Sequence, residues 1–90
     1  MNVIDHPERS RYELAIGDEL AFINYRRQQN VVTLMHAEVP AHLNGRGIGS
    51  TLVKGALDLA RAQGEQVVPV CSFIRIYIQR HPEHADLLPR

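Results

Sequence analysis

Asn44-Gly45-Arg46-Gly47-Ile48-Gly49 is the stretch on which the reading of this chain turns. Three glycines in five residues let the backbone take positive φ and approach a ligand closely. The residues after it have a helical period: Ile48, Leu52, Val53, Ala56, Leu57 and Ala60 form one apolar stripe over Ile48 to Gln63. Gly64 supplies a stop just past the helix end. The residues before it read as a strand: Val31 to Val39 is rich in β-branched residues, and Pro40 ends it because proline cannot donate to a ladder. Val67 to Val70 is a second short apolar strand, and Pro69 argues for an edge. Strand, glycine loop, helix and strand make a right-handed crossover between parallel strands.

Further out, the pattern becomes antiparallel. Tyr12, Leu14 and Ile16 alternate with Arg11, Glu13 and Ala15, and Gly17-Asp18 reads as a tight turn. Leu20, Phe22 and Asn24 alternate with Ala21, Ile23 and Tyr25 in the next strand, and Gln28-Gln29-Asn30 turns the chain again. Downstream, Ser72 is the expected N-cap of a helix to about Arg80, with Phe73, Ile74, Tyr77 and Ile78 as its apolar face. Pro82 closes it, and the tail has room for one more turn. Residues 1–9 read as a flexible lead-in and 10–90 as a single domain. The predicted order is β-β-β-α-β-α, an α/β arrangement with a mixed sheet and helices packed on it.

Composition narrows the partners. Ten basic and ten acidic residues cancel across 90 residues, and no basic stripe is visible, so nucleic acid is not an expected partner. Arg26-Arg27 reads as a solvated edge. The single cysteine allows no internal disulfide and suits a reducing cytoplasm. Met1 to Arg11 is polar and contains Pro7, unlike a signal peptide, and no apolar run is long enough to span a bilayer.

The first N–H groups of a helix have no internal partner, so a glycine loop running into one forms an anion site suited to pyrophosphate. Ser50 and Thr51 offer hydroxyls beside it. A P-loop would need Gly-Lys-Ser/Thr at this point, and a dinucleotide fingerprint would need a glycine at Leu52. Neither is present. The structural alternative is a glycine turn that only lets helix and strand pack closely.

Val39-Pro40, a short spacer, then Gly45-Arg46-Gly47-Ile48-Gly49 and Leu52 resemble the acetyl-CoA signature of the GNAT superfamily. Asn44 stands where that signature has glutamine or arginine. His36-Ala37-Glu38-Val39-Pro40, Val68-Pro69-Val70-Cys71-Ser72-Phe73 and Tyr77-Ile78-Gln79-Arg80-His81-Pro82-Glu83 extend the resemblance to a subfamily of very short GNAT-like N-acetyltransferase domains, over roughly residues 10–88. The resemblance implies a shortened fold without the usual N-terminal helices and C-terminal strands. It implies acetyl-CoA bound at Val39, Asn44, Gly45, Arg46, Gly47, Ile48, Gly49 and Ser50. It also implies a splay between the strand before the loop and the strand after the helix, where the pantetheine arm lies. The acceptor is an unidentified amine, and a homo-oligomer or partner protein is a means of completing its site.

Acetyl transfer needs a neutral amine, a polarised carbonyl and a proton for the leaving thiolate. Glu38 is the candidate base, or else an exposed strand carboxylate. His36 alternates with Glu38 and shares its face. Cys71 precedes a helix start, where a thiol pKa can fall; it is a nucleophile, a lining residue or a small buried hydrophobe. Tyr77 matches the GNAT tyrosine that protonates the thiolate, but Val70 replaces the asparagine seven positions earlier. Packing on an apolar helical stripe is the other reading of Tyr77. His81, Glu83 and His84 have no zinc-site spacing. Three functions remain open at this level: an acetyl-CoA-dependent N-acetyltransferase, a non-catalytic CoA-binding module, and a small interaction domain.

Overall fold

The computed structural model describes residues 2–89. Its strands are β1 (Val3–His6), β2 (Arg11–Ile16), β3 (Glu19–Gln28), β4 (Val31–Glu38) and β5 (Gln66–Pro69). The α-helices are α1 (Ile48–Ala62) and α2 (Ser72–Arg80), and short 3-10 turns cover Pro7–Arg9, Ala41–Leu43 and Pro82–Leu87. The five strands form one sheet in the order β1-β2-β3-β4-β5. Three antiparallel pairings precede one parallel pairing, between β4 and β5 on either side of α1. No helix among the described residues is long and apolar enough to cross a membrane.

Alternation fixes which face of the sheet is covered. Tyr12, Leu14, Ala21, Ile23, Val32, Leu34 and Val67 point one way and are buried. They pack against Leu52, Val53, Ala56, Leu57 and Ala60 of α1 and Ile74, Tyr77 and Ile78 of α2 in a single apolar core. The opposite face carries no helix, and Ile4, Leu20, His36 and Glu38 are exposed on it. At the end of α1, Gly64 takes φ +71° and turns the chain into β5, as its position past the apolar stripe implies.

Four expectations need correction. The lead-in expected over residues 1–9 is not loose from Val3 to Arg9, because β1 pairs with β2 from Val3↔Leu14 to His6↔Arg11 and a 3-10 turn follows; Met1 lies outside the described residues. A four-residue strand with adjacent Val3 and Ile4 has no room to show alternation. It is held instead by tertiary contacts: Val3 lies where a Cβ on Gly55 of α1 would collide with it, and Asp5 reaches β3. The order is therefore β-β-β-β-α-β-α. Ser72 is not the N-cap; Cys71 holds that position and no side chain caps the helix. Phe73 leaves the apolar face and is 46% exposed, because the i, i+3, i+4 stripe runs through Ile74, Tyr77 and Ile78.

Arg27 is also not a solvated edge. Its guanidinium donates to Glu65 Oε2 at 2.6 Å, to Asp5 Oδ2 at 2.9 Å and to the Tyr25 hydroxyl at 2.8 Å. Tyr25 in turn donates to Asp5 Oδ1 at 2.6 Å, and its ring stands 5.0 Å from Tyr12. The network ties β1, β3 and the segment between α1 and β5 together on the covered face. Loss of hydration, then the hydrogen bond to Asp5, pushes the Tyr25 phenol up to about 12.

β4 carries the irregularity that makes a site. Tyr25 pairs with Leu34 and Asn24 with His36, so Met35 is an extra residue in β4. This is a β-bulge, which leaves one residue unpaired and bends its strand. Beyond it the alternation is inverted. Ala37 takes the covered face opposite Ile23, while His36 and Glu38 take the open face.

Candidate active site

The β4–β5 ladder runs from Val31↔Gln66 to Leu34↔Pro69 and stops. Leu34 carbonyl accepts from Val70 N–H at 3.0 Å and Cys71 N–H at 3.2 Å, which closes it. β4 continues to Glu38 with β3 on one side, and the other edge of Met35 to Glu38 faces a gap. The bulge begins where the ladder ends, so the parallel pairing stops at the residue where the strand is irregular.

The chain then crosses above this gap. Pro40 starts the 3-10 turn, and Leu43 is buried as its anchor. Gly45 takes φ +85° and Gly47 φ +75°, conformations that side chains with a Cβ rarely adopt. Gly47 is the residue before α1, no side chain caps that end, and the first turn holds no acidic residue. The N–H groups of Ile48, Gly49 and Ser50 are the leading donors of the helix. The Thr51 hydroxyl turns back onto Gly47 carbonyl at 3.0 Å, so only Ser50 of the two hydroxyls faces outward into the cleft.

Between these elements lies a cleft of about 510 Å³. Ala37, Glu38, Val39, Leu43, Asn44, Gly45, Gly47, Ile48, Gly49, Ser50 and Phe73 line it. Seven of the eight residues expected to hold a cofactor are in this set; Arg46 is exposed and outside it. Glu38 is the only ionisable residue of the lining. Its carboxylate stands 3.6 Å from His36 Nε2, and both side chains are well exposed.

The other two expected residues stand apart. Cys71 is half-buried at the start of α2 and packs against the core, outside the cleft lining. Tyr77 is buried and stacked on His81, with ring centres 4.0 Å apart, and is also outside the lining. Burial raises the Tyr77 phenol, and Lys54 partly offsets this. The structure thus brings Glu38 to the glycine loop and leaves Cys71 and Tyr77 off the cleft wall. Ala37, Leu43 and Phe73 are the lining residues that sequence reasoning did not assign to the site, and Phe73 is the one with an aromatic ring. Its ring stands over Gly49, and nothing in the spacing of the two residues announces that contact.

A family profile described as GCN5-related N-acetyl-transferase matches residues 11–87. The chain belongs to that family. Among curated relatives, Protein NATD1 of Gallus gallus is 35% identical over 54 residues, which is 60% of this chain and 49% of the relative. Protein NATD1 of Homo sapiens is 35% identical over the same length, covering 48% of the relative. The chain spans about half the length of the curated relatives it matches. The solution structure of a GCN5-like protein from Staphylococcus aureus superposes with a TM-score of 0.74 at 22% identity, over 98% of this chain and 87% of that one. At that identity the likeness concerns the fold.

For a member of the GCN5-related family, the donor set here suits an acyl-CoA. A pyrophosphate needs N–H donors with no competing carboxylate, and the uncapped first turn of α1 provides them. An extended amide-bearing arm needs a free strand edge, and β4 beyond Leu34 provides one.

Proposed function

We propose that this protein is an acetyl-CoA-dependent N-acetyltransferase that acetylates an amine. The observation carrying this reading is the free edge of β4, from Met35 to Glu38, leading directly to the uncapped N-terminus of α1. Ile48, Gly49 and Ser50 N–H groups would hold the pyrophosphate, with Gly45 and Gly47 giving the close backbone approach. Backbone groups of Ala37, Glu38 and Val39 would pair with the pantetheine amides. The thioester supplies an activated acetyl group.

Glu38 is the base in this reading. It lines the cleft and opens to the bare face of the sheet, so an amine arriving from that face meets the carboxylate before the cleft. It takes the ammonium proton directly or through water, leaving a neutral amine to form the new C–N bond as the C–S bond breaks; the proton shed by the acylated nitrogen passes through water to the departing CoA thiolate. His36 Nε2 stands 3.6 Å from the Glu38 carboxylate on the same open face. We leave Tyr77 outside this proton path, since it does not line the cleft.

Calorimetry with acetyl-CoA and CoA, followed by thiol release with a panel of amines, tests the reading. Sub-millimolar binding and amine-dependent thiol release support it. Binding without turnover of any amine would favour the second reading, a non-catalytic CoA-binding module. The observation on that side is that neither Cys71 nor Tyr77 is among the residues lining the cleft.

A further inference from the structure

A second groove lies on the bare face of the sheet, with a volume of about 640 Å³. Its floor is β4 and the end of β5, where Met35 and Val70 are 36% and 47% exposed. Met35 is the bulge residue, so this groove begins where the free edge of β4 begins. The first cleft takes the far end of that edge, at Ala37 to Val39. The two depressions meet the same four-residue gap from opposite ends.

Their charges are opposite. The first cleft has Glu38 as its ionisable lining residue. The second is lined by Arg26 and Arg27 and by no carboxylate. Arg27 is neutralised by Asp5 and Glu65 on the covered face. Arg26 is exposed, on the bare face opposite Thr33, with no carboxylate in ion-pair range among the described residues. Arg75 donates to Val70 carbonyl at 3.2 Å but lines a neighbouring depression, which leaves Arg26 as the unpaired cation of this groove among the described residues. A guanidinium presents a planar fork that matches a carboxylate.

We propose that this groove is the acceptor subsite, and that the acceptor is a small molecule carrying both an amine and a carboxylate. The inference rests on the acetyltransferase reading for the word acceptor. The groove orients such a molecule along β4, with its carboxylate at Arg26 and its apolar body over Met35 and Val70. Its amine then points toward Glu38. Thr33 and Glu38 are five positions apart with one bulge between them, which is four strand steps or about 13 Å at ~3.3 Å per residue. The long side chain of Arg26 shortens the span that the acceptor must cover, which favours an amine several bonds away from the carboxylate.

The test is a titration of the full chain, ¹⁵N-labelled and ¹³C-labelled at methionine methyls, with 6-aminohexanoate, 6-aminohexanamide and hexylamine. The expected result is saturable shifts of the Met35 methyl and the Thr33 and Val70 amides with 6-aminohexanoate. Binding of the other two probes should be at least tenfold weaker. Arg26→Gln should reduce 6-aminohexanoate to the level of the amide, and Arg26→Lys should keep part of the preference; Arg26 has no partner to lose, so both variants fold. Equal binding of the three probes, no binding of 6-aminohexanoate, shifts confined to other surfaces, or an unchanged dissociation constant in Arg26→Gln would each overturn the proposal. CoA affinity is measured on the same samples. Probe binding without CoA binding defeats the acetyltransferase reading and keeps the anion groove, whereas CoA binding without probe preference defeats only the groove.

Discussion

A Cβ placed on Gly49 would stand 2.9 Å from Cζ of Phe73, closer than ordinary van der Waals contact. Gly49 is in the first turn of α1 and Phe73 in the first turn of α2, so the two helix starts meet at the cleft wall. Phe73 is half exposed and its ring can swing outward. Gly49→Val should therefore fold while filling the space beside the leading N–H groups. We expect CoA affinity to fall at least tenfold, about 1.4 kcal/mol, by calorimetry. Unchanged affinity in the folded variant would take the α1 N-terminus out of the site.

Glu38→Gln keeps the shape of a side chain that is exposed and bound to nothing but a histidine 3.6 Å away. Stability should change by less than about 0.5 kcal/mol, as for an ordinary surface position. Acetyl-CoA affinity should hold, while turnover should drop by about 10²–10⁴-fold. Steady-state thiol release on the parent and variant decides it; equal rates at all pH values would make Glu38 a bystander.

Tyr77→Phe removes a hydroxyl from a ring stacked on His81. Because Tyr77 does not line the cleft, we expect turnover within about twofold of the parent, against the role that family resemblance implies, a general acid whose loss costs about 10²-fold or more. A loss of that size with CoA affinity intact would restore the tyrosine to the proton path. Alkylation of Cys71 gives a companion measurement, since a thiol off the cleft wall should react equally fast with and without acetyl-CoA.

Arg27→Ala would leave Asp5 and Glu65 facing each other across the covered side of the sheet with no cation between them. Breaking a buried pair costs about 3–5 kcal/mol, and the partial exposure of Arg27 places this case near the lower end. Urea denaturation should show the loss, and Arg27→Lys should recover only part, because one ammonium cannot serve two carboxylates and a tyrosine in a fork. Arg26→Ala, one residue away, should cost almost nothing.

The Tyr25 phenol gives a pH signature. Its folded value is raised to about 12 from an ordinary 10, so the folded state holds a proton that the unfolded state releases first. Stability from this group is complete below pH 10 and is lost as pH rises from about 10 to about 12. Denaturation midpoints across that range should fall in the parent and fall less steeply in Tyr25→Phe. An identical slope in both would assign the alkaline loss to other groups.

Periodic segments were legible from the residues alone. α1 was expected from Ile48 to Gln63 and ends one residue earlier, and the Gly17 turn, the β4 start and the β5 edge fall where their residues suggested. The glycine loop was legible because positive φ and an uncapped helix start are local properties of Gly45 and Gly47. β1 was not, because its position depends on Asp5 meeting Arg27, a partner 22 residues away. Phe73 was not, because an aromatic beside Ile74 reads as one more core residue until the helix is placed against Gly49. Glu13 alternated as a solvent-facing residue yet is 5% exposed, since Arg9 and Arg11 fold over it at 2.9 and 3.2 Å.

Met35 decides the parity of everything between it and the loop. A strand of strict alternation would point His36 and Glu38 inward with Val32 and Leu34, and Ala37 outward. One surplus residue exchanges the two sets, so a carboxylate that would have been an unpaired charge in the core becomes a reachable base. Conservative replacement of Met35 should thus be tolerated, whereas its deletion should not. The chemistry depends on the number of residues between Leu34 and Pro40 more than on the identity of the one that makes the count odd.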